Sequence, residues 1–60
     1  MSEIMKLCGT RDPQEALKDV DSWIKHADYA LVRGKWNSAT VSLSEASKRI
    51  DAIREEIKAK

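Results

Sequence analysis

The sequence predicts an all-α fold, an antiparallel helical hairpin that dimerises into a four-helix bundle. Two stretches carry apolar residues alternately three and four positions apart, which is the period of an amphipathic helix. Gly34 separates them and leaves room only for a short turn, so the two helices must fold back on each other. A chain of 60 residues also buries too little surface to be very stable alone, and we expect dimerisation to complete its core.

The composition argues against several classes of protein. Eleven Lys and Arg residues stand against ten Asp and Glu, so no strong net charge draws in nucleic acid or an anionic membrane. With 42% hydrophobic and 35% charged residues, the chain is typical of folded amphipathic helices rather than of disorder. No apolar run approaches a membrane span of about 20 residues, and no signal peptide is recognised. One cysteine allows no internal disulfide, so we expect a cytoplasmic protein.

Residues 1–12 are predicted to form an N-terminal arm, followed by the hairpin at residues 13–60. The first long helix is predicted near 13–33 and begins at Asp12-Pro13-Gln14-Glu15, which combines a capping box with proline at the first helical position. Gly34 is predicted to end it in a left-handed conformation. Its apolar stripe consists of Leu17, Val20, Ile24, Ala27 and Leu31, with Ala16, Trp23 and Ala30 along one flank.

The second long helix is predicted near 35–59. Its stripe consists of Trp36, Ala39, Leu43, Ala46, Ile50, Ile53 and Ile57. In a hairpin with this turn, the numbers of facing residues add up to about 69, and Trp36 is expected to pack over the last turns of the first helix as an end plug. Ile4, Met5 and Leu7 are expected to cap the other end or to contact a partner chain.

The predicted core or oligomer interface therefore combines residues of both stripes. These residues are Leu17, Val20, Trp23, Ile24, Ala27, Leu31, Trp36, Leu43, Ala46, Ile50, Ile53 and Ile57. Such a surface predicts a homodimer and a protein partner.

The turn and the second helix resemble a tetratricopeptide repeat. From Gly34 the chain reads GKWNSATVSLSEA, that is G-x-aromatic-x-x-A-x-x-x-L-x-x-A. The similarity extends over residues 20–53, with Trp23 at the repeat's first-helix Trp and Ala27 at its small position. The sequence departs from the repeat where His26 replaces a Leu and Asp51 replaces a Pro, and it holds one copy where such arrays need about three. The resemblance implies protein–protein interaction.

The residues do not predict catalysis, a metal or a cofactor. His26 is the single histidine, and although Asp19 and Ser22 lie on neighbouring turns, an exposed helix offers no enclosure or oxyanion donors. Cys8 has no positioned base to activate it. We therefore expect a non-enzymatic protein without a bound cofactor.

A nucleic-acid-associated regulator is the alternative interpretation. Ala30 and Gly34 have the spacing of a helix-turn-helix motif, and DNA contacts would come from the basic edge formed by Lys48, Arg49 and Arg54. However, Arg33 and Thr40 occupy positions where that motif has apolar residues.

The function predicted from the sequence is that of a small cytoplasmic interaction module or regulator that acts as a homo-oligomer. Its size is typical of accessory proteins of phages, plasmids or operons. A structural subunit of a larger helical assembly is a further alternative.

Overall fold

The computed structural model describes residues 2–59 and contains, over that range, three α-helices and no strand. The helices are α1 (Glu3–Cys8), α2 (Pro13–Val32) and α3 (Trp36–Lys58). The predicted all-α class is confirmed, and α2 and α3 end close to the predicted bounds. α1 lies within the predicted N-terminal arm. Met1 and Lys60, the outermost residues of the two predicted regions, lie outside the described residues.

Local hydrogen bonds fix both ends of α2. The Asp12 carboxylate accepts a hydrogen bond from the backbone N–H of Gln14 at 3.0 Å, so the predicted cap is confirmed. The N–H of Asp12 donates to the Thr10 hydroxyl at 3.1 Å rather than to the Glu15 side chain of a capping box. Asp12 is therefore hydrogen-bonded to a residue on each side of it, Thr10 and Gln14.

The turn between α2 and α3 is a Schellman motif. Gly34 has a φ of 73°, in the left-handed region that favours glycine. The N–H of Lys35 donates to the carbonyl of Ala30 at 2.8 Å, and the N–H of Gly34 donates to that of Leu31 at 3.1 Å. The prediction that Gly34 ends the helix is confirmed.

α2 and α3 pack as an antiparallel pair in the predicted register. Nε of Arg49 on α3 lies 2.6 Å from a carboxylate oxygen of Asp19 on α2, as the pairing rule requires. The seam between the two helices is lined mainly by small residues. The buried residues of the two helices are Ala16, Val20, Ala27 and Ala30 on α2, and Ala39, Ser42, Ala46, Ala52 and Ile53 on α3, of which Ala52 also lines the groove beside α1. Alanine at these positions lets two helices approach closely.

α1 docks on the end of the hairpin away from the turn. Ile4 is 1% exposed and packs into a cluster that includes Val20 and Ile53, with Leu7 and Cys8 partly buried beside it. A six-residue helix is not stable in isolation, so burial of Ile4 holds α1 in place. Over residues 2–59, none of the helices is long and apolar enough to cross a membrane.

Candidate interaction surface

In the hairpin, most of the small apolar residues are buried and most of the large ones are exposed. Six alanines of α2 and α3 are at most 5% exposed, whereas the larger apolar side chains at heptad spacing are between 39% and 65% exposed. These larger residues are Leu17, Ile24 and Leu31 on α2, and Trp36, Leu43, Ile50 and Ile57 on α3. We call these seven residues the heptad face.

Both halves of the heptad face lie on the same side of the hairpin. A helix rotates by about 100° per residue. Ile24 therefore points about 100° away from Trp23, which packs against the core cluster. On α3, Leu43 is three positions before the buried Ala46 and therefore points about 60° to one side of it. Because the two helices run in opposite directions, these offsets turn toward the same side. The face therefore crosses from one helix to the other.

Three pairs of residues match in height across this face. In the observed register, Leu31 pairs with Trp36 near the turn, Ile24 with Leu43 in the middle, and Leu17 with Ile50 toward the other end. That gives three rungs of large side chains, with Ile57 beyond the last rung. The rungs follow directly from the seven-residue spacing on both helices.

α1 covers the opposite side of the hairpin. Glu3 and Leu7 line a groove together with Lys48, Ala52 and other residues of α3. Lys48 and Ala52 point away from the heptad face, because they lie about 120° or more around α3 from its members. Within residues 2–59, no segment covers the face.

The packing predicted for Trp36 is wrong within one copy of the chain. Its side chain is 65% exposed, because the Schellman turn starts α3 beside the end of α2 with the indole on the outer side. Ile57 is likewise 56% exposed, since α1 packs on the other side. Of the predicted core or interface residues, Val20, Ala27, Ala46 and Ile53 are buried and Trp23 is partly buried.

Polar residues border the heptad face on each helix. On α2 the border, which we call the α2 margin, is formed by Asp21 and Asp28, each four positions after a residue of the face. On α3 the corresponding α3 margin is formed by Thr40, Ser47 and Arg54. The α2 margin thus carries two carboxylates, of which Asp21 pairs with Lys25 at 3.2 Å, and the α3 margin carries hydroxyl groups and one cation.

Arg49 lies on the side of the hairpin that faces α1 and joins the two long helices. Its guanidinium bonds to Asp19 at 2.6 Å and to the carboxylate of Glu45 at 2.7 Å, and its Cζ lies 4.9 Å from the centre of the Trp23 ring. The hydrogen bond from Arg49 holds the pKa of Glu45 below its ordinary value. Burial opposes the charge of Arg49, but the hydrogen bonds that it donates to both carboxylates outweigh this effect and raise the pKa of Arg49.

The proposed basic edge is not gathered on one surface. Arg49 is occupied by its two carboxylates, and Lys48 lies 3.7 Å from Glu45. Arg54 belongs to the α3 margin and is separated from both by about 100° or more around the helix. In a single copy, the three residues do not form a shared cationic surface for a phosphate backbone.

Cys8 and His26, the nucleophile and the base considered for catalysis, lie on different helices. His26 is exposed, with its ring centre 6.0 Å from that of Trp23. Burial, together with the nearby charge of Asp19, raises the pKa of the Cys8 thiol against the opposing effect of Arg49, which lowers its thiolate fraction at neutral pH. Among residues 2–59, no group of three His, Cys, Asp or Glu side chains is placed to hold a metal ion.

Comparisons with protein-family models, with curated proteins and with solved structures find no match to this chain. The resemblance to a tetratricopeptide repeat therefore stays a prediction. Over residues 2–59, the fold and its surface define an all-α protein with an extended apolar face.

Proposed function

We propose that this chain is a small, non-enzymatic protein–protein interaction module that acts as a homodimer through the heptad face. The observation that carries the proposal is the sorting of apolar residues by size, with alanines in the seam and seven large side chains outside. Monomeric proteins rarely expose so continuous an apolar patch. Heptad-spaced apolar residues on adjacent helices are what a helix bundle requires of its interface.

The energetics support association. Covering a half-exposed leucine or isoleucine contributes about 1 kcal/mol, and a two-fold interface uses every residue twice. A chain that folds around small side chains has little stability of its own. Association through the heptad face therefore both forms the complex and stabilises the hairpin. The unpaired Cys8 suits the cytoplasm, which is the location we propose.

Sedimentation across a concentration series tests the proposal, with helicity measured by circular dichroism on the same samples. We expect the wild-type chain to sediment at twice its mass of 6.8 kDa. Leu43→Asp should raise the dimer dissociation constant on the order of 100-fold or more, because two unpaired carboxylates would be buried. Wild-type protein that remains a helical monomer at high concentration would contradict the proposal.

Val41→Asp provides the matched control. Val41 is 58% exposed and Leu43 is 50% exposed, but the two side chains point to opposite sides of α3, because two residues correspond to about 200°. We expect Val41→Asp to dimerise like the wild type. Equal loss of the dimer in both variants would show that the heptad face is not the interface.

A further inference from the structure

We infer that the second copy on the heptad face is related by a two-fold axis parallel to the helices, so that α2 of each copy packs against α3 of the other. This inference rests on the proposed function, because it specifies the arrangement of that same interface. Two symmetric arrangements bring one heptad face onto another. The axis runs either along the helices or across them, and in both cases neighbouring helices are antiparallel.

An axis along the helices leaves every residue at its own height. The rung of Ile24 and Leu43 then meets the same rung of the second copy, with Ile24 over Leu43 and Leu43 over Ile24. The rungs above and below meet their equivalents in the same way. The result is three layers of four large apolar side chains, without any shift along the bundle.

An axis across the helices reverses the order of the rungs. The rung of Leu31 and Trp36 would then meet the rung of Leu17 and Ile50, and α2 would lie against α2. Only the middle rung would meet its equivalent. Trp36 of each copy would face Ile50 of the other, so each end layer would combine Leu17, Leu31, Trp36 and Ile50.

The margins distinguish the two arrangements by charge. With the axis along the helices, Asp28 of the α2 margin lies opposite Thr40 of the second copy, and Asp21 lies opposite Ser47. Each carboxylate then has a hydroxyl group as its neighbour. With the axis across the helices, Asp21 of one copy lies beside Asp28 of the other, and this pairing occurs twice. Like charges placed together in an interface oppose its formation. Lys25 lies 3.2 Å from Asp21 and offsets part of this repulsion within each copy, but two carboxylates still meet at each contact, so the observed margins favour the axis along the helices.

Pairwise cross-linking between two differently tagged chains tests the arrangement. Both chains carry Cys8→Ser, which removes the single native thiol. One mixture combines Asp28→Cys with Thr40→Cys, and the other combines Asp28→Cys with Asp21→Cys. Each mixture is unfolded, refolded together and treated with a short bis-maleimide. We expect the mixed cross-linked dimer to form mainly in the first mixture, and each variant treated alone to give little product.

Sedimentation of each mixture before cross-linking separates failure of this inference from failure of the proposed function. A dimer that cross-links mainly between Asp28→Cys and Asp21→Cys would overturn the arrangement and leave the dimer intact. A dimer that cross-links in neither mixture would also overturn it, since no pair of margins would then be adjacent. A monomer in sedimentation with the wild-type chain would overturn the proposed function itself, and this inference with it.

Discussion

At the scale of single residues, Arg49 does the most to join α2 to α3 by polar contact. Its side chain is 12% exposed and reaches carboxylates on both helices, while it covers the Trp23 ring. Hydrogen bonds to charged groups contribute more than neutral ones when they are shielded from water. The partial exposure of Asp19 weakens that contribution, because solvent screens the pair.

Arg49→Ala is therefore expected to lower the free energy of unfolding by about 1–2 kcal/mol. Urea unfolding followed by circular dichroism, at a fixed protein concentration, measures the change. Lys48→Ala is the control, since Lys48 makes only a longer contact of 3.7 Å and its side chain is 62% exposed. It should change stability by less than about 0.5 kcal/mol. Equal effects of the two substitutions would show that the contact between Arg49 and Asp19 contributes no stability.

At the scale of elements, α1 depends on one side chain. Ile4 is almost fully buried, whereas its neighbour Met5 is 45% exposed. Since six residues form no stable helix alone, the docking of α1 and its helical structure are expected to be lost together when Ile4 is truncated. The seam beneath α1 would then be exposed to water.

Ile4→Ala should lower the free energy of unfolding by about 2–4 kcal/mol, within the range for large-to-small core substitutions. Amide hydrogen exchange should show α1 losing its protection, with α2 and α3 exchanging more slowly than α1. Met5→Ala, as a control, should leave both measurements nearly unchanged. Persistent protection of α1 in Ile4→Ala would mean that other contacts hold this helix.

The two long helices could be predicted from the sequence, but the residues by which they pack against each other could not. The apolar period includes both the seam and the heptad face, because Ala16 and Leu17 are adjacent and both are apolar. The size of a residue decides whether it lies in the seam or on the heptad face, since alanine permits the closest approach of α2 and α3. The Asp19–Arg49 contact also follows from the predicted register. α1 is too short for its period to be recognised, and the exposure of Trp36 follows from the turn that precedes α3 rather than from the apolar pattern.

At the scale of the whole molecule, the fluorescence of Trp36 tests the proposed association. In a Trp23→Phe background it is the sole tryptophan. We expect iodide to quench its fluorescence strongly in dilute samples, where it is 65% exposed, and more weakly as concentration rises and the heptad face is covered. Trp36→Phe provides the control, because Trp23 packs within one copy and its quenching should not depend on concentration. Unchanged quenching of Trp36 in a sedimenting dimer would exclude the turn end of the face from the interface.

The alanine seam has a further consequence for calorimetry. Globular proteins unfold with a heat-capacity change of about 12–15 cal/mol/K per residue, most of it from hydration of newly exposed apolar surface. A single hairpin that already exposes its large apolar residues has less such surface left to hydrate when it melts. Its heat-capacity change should therefore fall below that range when dilute and rise toward it when concentrated. The difference measures how much apolar surface this chain leaves for another molecule to remove from water.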